Sequence, residues 1–184
     1  MIEARNGTLL IAEPFLKDQS FSRSVVLICK HSKDFGTFGF TLNKKLRTTL
    51  GDVVPDMSDC KIPLYLGGPM QKDTIHYIHQ YPQYFNDAIE VAKGIYWGGN
   101  FETVKILIKN GTMEPSKIKF FLGYSGWDAD QLEEELIENT WIMCQANTIL
   151  VFDTKPSIIW NASLTQLGGK FKMMVRFPKD PQLN

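Results

Sequence analysis

Residues 117–144, KIKFFLGYSGWDADQLEEELIENTWIMC, decide how the chain is read. Ile118 to Tyr124 is dense in β-branched and aromatic residues and predicts a strand. Gly123, Tyr124, Ser125, Gly126 and Trp127 follow as a tight turn, in which two glycines free the backbone and two large rings meet at one corner. Asp128, with Gln131 three residues later, resembles a capping box at the start of a helix. Leu132, Leu136 and Ile137 form the buried stripe of that helix, and Gln131 and Glu135 a parallel polar row. Trp141 to Cys144 returns as a strand. Glu133, Glu134 and Glu138 make a solvated acidic face whose spacing singles out no acid/base pair.

Working outward to the amino-terminal side, Thr8 to Ala12 and Ser24 to His31 read as strands, the second apolar on both faces as a central strand is. Arg23 and Ser24 stand at its start as binding candidates. Arg23, Cys29 and His31 fall on one face by strand alternation, so a thiol and an imidazole two residues apart could form an activated nucleophile. Phe35 to Leu42 closes a hairpin after Ser32 to Asp34, and its glycines signal a bulge or a close backbone approach. Asn43 ends this strand, with a side chain suited to bonding turning backbone. Lys44, Lys45 and Arg47 read as a solvated basic edge. Thr48 or Thr49 caps a short helix that Pro55 stops.

Ile62 to Leu66 predicts a strand running into Gly67, Gly68 and Pro69, a structural corner that also qualifies as pocket lining. Neither a GxxxxGK[ST] nor a GxGxxG pattern accompanies it. Thr74 to His79 predicts a strand in which His76 and His79 face opposite sides and cannot share a metal. Val91 to Trp97 reads as one strand, and Asn100 caps a helix carrying Phe101, Val104, Leu107 and Ile108 that ends at Asn110 and Gly111. This strand, helix, strand order predicts a crossover and some parallel pairing. Ile149 to Phe152 reads as a short strand, Pro156 to Gly169 as a helix, Phe171 to Phe177 as an edge strand or sealing arm, and Pro178 to Asn184 as a frayed tail.

The 184 residues carry 20 basic and 20 acidic side chains, giving zero net charge and no electrostatic case for nucleic acid. No apolar run suffices to span a bilayer, and no leader is visible before Asn6, so a cytoplasmic single domain over residues 1–184 is expected. Three scattered cysteines, Cys29, Cys60 and Cys144, argue for reduced thiols and against a disulfide framework or a zinc knuckle. Ser125 lies where a serine elbow would place its nucleophile, but Gly126 follows it directly and all three histidines precede it, so the GxSxG pattern fails.

Taken in order, GTLLIAEPFLKDQSFSRSVVLICKH, GTFGFTLN, LYLGGPM, GIYWGG and FFLGYSGWDADQLEEEL resemble the YqgE/AlgH family of bacterial proteins from Gly7 to about Gly168. Pattern alone predicts mixed α/β; the resemblance implies an α+β domain whose mixed, bifurcated sheet rolls toward a pseudo-barrel with helices outside. It also implies a regulatory association with exopolysaccharide production, without a catalytic activity or a cofactor. Cys29 to His31, Asn43, Gly67 to Pro69, Gly123, Tyr124, Gly126, Trp127, Gln131, Leu132 and Glu135 fall on the family's pattern. The expectation is therefore a non-enzymatic regulatory domain that recognises a protein or small-molecule partner near the Gly123 to Trp127 corner, with no metal, no cofactor and no membrane. The rivals are a thiol-dependent enzyme using Cys29 with His31 and a nucleic-acid-binding transcriptional regulator.

Overall fold

The computed structural model describes residues 3–178, and ten strands among them build the sheet. β1 (Thr8–Ala12), β2 (Val25–Ser32) and β3 (Gly36–Thr41) run antiparallel in succession, and β10 (Trp141–Gln145) covers the free edge of β1. β4 (Lys45–Thr49), β5 (Pro63–Leu66), β6 (Met70–His79) and the hairpin of β7 (Ile89–Ala92) with β8 (Ile95–Trp97) form the other half. β9 (Ile118–Trp127) joins the halves. Its Phe120 lies between Leu64 of β5, a parallel neighbour, and Tyr77 of β6, an antiparallel one, whereas Ser125 to Trp127 pair with Gly39 to Thr37 of β3. The sheet is therefore mixed and branches along β9, the α+β arrangement that the resemblance implied.

Alternation sorts the apolar side chains into layers. Leu9, Ile11, Val25, Leu27, Phe40 and Phe121 face an inner core shared by both halves, closed by α4 (Ile159–Leu167) through Trp160 and Leu164. Leu10, Val26, Ile28, Trp127 and Trp141 face outward beneath α3 (Gln131–Ile137), which contributes Leu132. Leu64, Tyr77 and Phe120 face outward on the other half, where α2 (Phe101–Lys109) supplies Val104 and α1 (Leu50–Val53) supplies Leu50. β2 is apolar on both faces because both are covered.

The caps expected at Thr49 and Asn100 hold, whereas α3 starts after Asp130 in a left-handed conformation without a side-chain cap, and Asp128 gives only its backbone amide to the Gln131 side chain. Thr49 precedes α1, with its amide and hydroxyl both donating to Asp52, and Asn100 precedes α2 and accepts from the amide of Thr103 at 2.9 Å.

Several expectations are corrected. Gly123 to Trp127 is no turn; β9 continues through it because β3 takes over the backbone hydrogen bonds where β5 ends. Val91 to Trp97 is a hairpin turning at Lys93 and Gly94, where the glycine adopts positive φ. β8 and β9, the flanks of the expected crossover, are not neighbours, and the parallel pair is β5 with β9. The basic edge after Asn43 is a strand, β4. Ile149 to Asp153 is a π-helical turn rather than a strand, started by Asn147, whose side chain accepts from the amide of Leu150. The arm after Gly168 begins as a short helix, α5 (Gly169–Met174). Of the expected frayed tail, residues 179–184 lie outside those described. Among the described residues no helix is long and apolar enough to cross a membrane.

Candidate functional site

β5 and β6 flank β9, yet only Gly67, Gly68 and Pro69 join them. These three residues must carry the chain over the backbone of β9. A Cβ on Gly67 would fall on the carbonyl of Gly123, and one on Gly68 on the backbone of Tyr124 and Ser125, closer than any real carbon approaches. Gly123 bends β9 beneath the crossing with φ of 65°, a conformation that disfavours other residues. Ser125 locks the junction: it is buried, and its hydroxyl donates to the carbonyl of Gly67 at 2.9 Å and lies 3.3 Å from the hydroxyl of Thr41. The GGP corner is thus structural, and Ser125 is a strand residue with no exposed oxygen.

Beyond the crossing, β9 and β3 floor a groove of about 420 Å³. Tyr124, Gly126, Trp127 and Gln131 line it, as do Met70 from the start of β6 and Phe35 from the β2–β3 hairpin. Phe35 is 91% exposed and Met70 47% exposed, so among the described residues one apolar side chain on the rim is almost uncovered and the other about half covered. Lys30, Asp128 and Gln131 add polar groups of both signs. The ring of Tyr124 is held edge-on by Phe38 at 5.7 Å and by His76 at 5.9 Å.

Glu135 fixes the wall behind the groove. One of its oxygens accepts from the indole nitrogens of Trp127 at 2.8 Å and Trp141 at 2.6 Å, and the other from the amide of Gln131 at 3.0 Å. Gln131 in turn accepts from the backbone amide of Asp128 at 3.0 Å. Trp127 is consequently a buried wall element whose polar handle is already occupied.

The remaining predicted residues lie elsewhere. Asn43 bridges two backbone groups, accepting from the amide of Val25 at 3.0 Å and donating to the carbonyl of Arg23 at 2.8 Å. Asn43→Ala should therefore lower stability by about 1–3 kcal/mol in urea denaturation. Arg23 precedes β2 in a left-handed turn and reaches the other way, its guanidinium 4.5 Å over the Trp160 ring and bonded to the carbonyl of Phe177. Ser24 is buried. Neither Arg23 nor Ser24 lines the groove.

Cys29 and His31 do not share a face. The register of β2 against β3 slips between Ile28 and Lys30, and Gly39 comes close to the backbone of Leu27, as a bulge requires. Cys29 turns into the inner core, where burial pushes its thiol well above the ordinary range and keeps it protonated at neutral pH. His31 turns toward α3, its Nδ1 2.7 Å from the hydroxyl of Thr37 and its Nε2 3.6 Å from Glu133. This geometry supplies no activated thiolate. His76 and His79 do occupy opposite faces, the first against Phe40 and the second against Phe85.

Phe35, Thr37, Phe38, Met70 and Lys30 line the groove without being among the binding candidates that the sequence singles out. A large ring at a hairpin tip, where polar residues are usual, was the available signal for Phe35.

The DUF179 family model, described as AlgH-like, matches residues 9–172. A UPF0301 protein of Cytophaga hutchinsonii is 41% identical over 97% of this chain and 98% of its own length, and one of Bacteroides thetaiotaomicron is 38% identical over 97% and 90%. Among solved structures, protein DIP2367 of Corynebacterium diphtheriae shares the fold with a TM-score of 0.80 at 21% identity, covering 96% of this chain and 94% of its own. The AlgH protein of Pseudomonas aeruginosa superposes with a TM-score of 0.75 at 27% identity, covering 97% and 98%. The chain therefore belongs to the AlgH-like DUF179 family of UPF0301 proteins.

Proposed function

We propose that this protein is a cytoplasmic, non-enzymatic regulatory domain that binds an extended segment of a partner protein in the groove between the β2–β3 hairpin and the end of β9. The exposed pair of Phe35 and Met70 on either side of a ready-made recess carries this reading, because large apolar side chains with their own chain behind them are where partner side chains dock. Lys30 and Asp128 would orient the segment through its charges. The regulatory role rests on the family resemblance. Cys29, lying in the inner core, lends the thiol-dependent alternative no support, and the zero net charge lends none to nucleic-acid binding.

The test replaces Phe35 and Met70 together by serine and compares affinity capture from extracts of the native host. As a control, Ile106, exposed on α2, and Ile137 of α3 are replaced in the same way; Ile137, expected in the buried stripe of its helix, is in fact 79% exposed, because only Leu132 of that stripe is fully buried. We expect the groove variant to recover a specific partner at least about tenfold less well than wild type, equivalent to about 1.4 kcal/mol of binding, and the control to recover it fully. Equal recovery by both variants would remove the groove as the binding site.

A further inference from the structure

Lys119 sits on β9 with its neighbours Ile118 and Phe120 buried on either side, and it is itself only 7% exposed. Buried lysines are rare because an ammonium group loses its hydration, and they normally recover the loss through a carboxylate. Here none is within ion-pair reach among the described residues. The Nζ lies 4.6 Å from the centre of the Tyr65 ring, an interaction that favours the cation but provides no counter-charge. Lys45, across the β4–β5 pair from Tyr65, adds repulsion. Burial first, and Lys45 second, bring the amine down to about 8.

The side chain opens onto a recess of about 240 Å³ between β5, the start of β9 and the segment after the π-helical turn, lined also by Tyr65, Ser116, Phe152, Asp153 and Lys155. Lys155 and Ser116 stand exposed at its rim and offer further donors, while Tyr65 and Phe152 are buried walls that reduce screening. Asp153 is the acidic group of this lining, and it is exposed. Its charge at the mouth disfavours polyanions. The small volume excludes a nucleotide or a polymer lying fully inside.

The geometry points to a second binding site, distinct from the groove, in which Lys119 anchors the carboxylate or phosphate of a small, singly or doubly charged ligand and Lys155 and Ser116 complete its hydrogen bonding. A lysine without a carboxylate partner, nine-tenths buried as a residue and lining an open recess, is half of an ion pair, and the anion is the missing half.

The experiment uses the full chain labelled with ¹³C at lysine Cε and follows each lysine by NMR through a pH titration, alone, with sodium acetate and with inorganic phosphate. The resonance of Lys119 is identified by its loss in Lys119→Gln, or in Lys119→Met should the first variant fold poorly. Without added anion it should titrate near 8. Acetate or phosphate should raise that midpoint saturably by about one pH unit or more, as a close opposite charge does, and leave the exposed lysines unmoved. Lys155→Ala should weaken the effect several-fold. A response to acetate only would assign the site to carboxylates, and a response to phosphate only to phosphates. The proposal is overturned if Lys119 titrates with the exposed lysines. It is overturned equally if neither anion moves it saturably at concentrations well above a millimolar dissociation constant.

Discussion

Gly68→Ala is expected to lower the stability of this protein by about 3 kcal/mol or more, at the upper end of what overpacking costs. The reason is space rather than conformational freedom. The added methyl would land on the backbone of Tyr124 and Ser125, and none of these atoms can retreat. Tyr124 is paired with Met70 and Ser125 with Gly39, while the adjacent carbonyl of Gly67 already accepts from the Ser125 hydroxyl and the Thr41 amide. Lifting the crossing would break those bonds and separate β5 or β6 from β9. Gly111→Ala is the comparison: its φ is also positive, yet nothing lies within 4 Å of the new methyl, so only the strain of about 1–2 kcal/mol applies. Urea denaturation of both variants decides the matter. A Gly68→Ala protein no less stable than Gly111→Ala would show that the crossing tolerates a side chain.

The second large effect is expected at Glu135. Leucine there would leave the indole nitrogens of Trp127 and Trp141 without their acceptor in an apolar layer, together with the amide of Gln131 at the surface. Hydrogen bonds to a charged acceptor contribute about 1.5–3 kcal/mol each, and relaxation toward water recovers part, so a net loss of about 2–4 kcal/mol is expected. Glu135→Gln should recover more than half, because its carbonyl oxygen has two lone pairs and can take the place of the one that accepts from both indoles, while its amide nitrogen faces the side-chain amide of Gln131. The two tryptophan rings lie 5.9 Å apart and nearly perpendicular, so their near-ultraviolet circular dichroism reports the same loss independently. If Glu135→Leu kept wild-type stability and an unchanged spectrum, the carboxylate would not be what holds the groove wall.

How much of this was legible in the sequence depended on whether a feature is local. β1, β2 and β5, the caps at Thr49 and Asn100 and the stop at Asn110 and Gly111 follow from neighbouring residues, and the structure places them within a residue or two of the reading. The groove corner was legible as a gathering of Tyr124, Gly126, Trp127 and Gln131, and these do meet. What could not be read was which backbone passes over which. Two glycines with rings around them describe a tight turn and a continuous strand under a crossing equally well, and only the pairing of β9 with β3 separates the two. The bulge at Cys29 was hidden for a similar reason: it is set by Gly39 on another strand, and a one-residue slip exchanges the faces of everything after it. Arg23 stands before one strand and Asn43 after another, and both serve distant backbone, at Phe177 and Val25, instead of a ligand.

The passage of Gly67 to Pro69 over β9 bears on how the molecule is made. Synthesis delivers β5 and β6 well before β9, with Ile118 trailing His79 by about 40 residues, and until β9 emerges the two earlier strands face each other across an empty slot. They are joined by a link short enough for them to zip together as a hairpin, which would shut out the later arrival. The nascent chain must keep that slot open, or reopen it, before the middle strand can slide in. Pairing over such a separation is slow, and maturation of this protein should be limited by that one insertion.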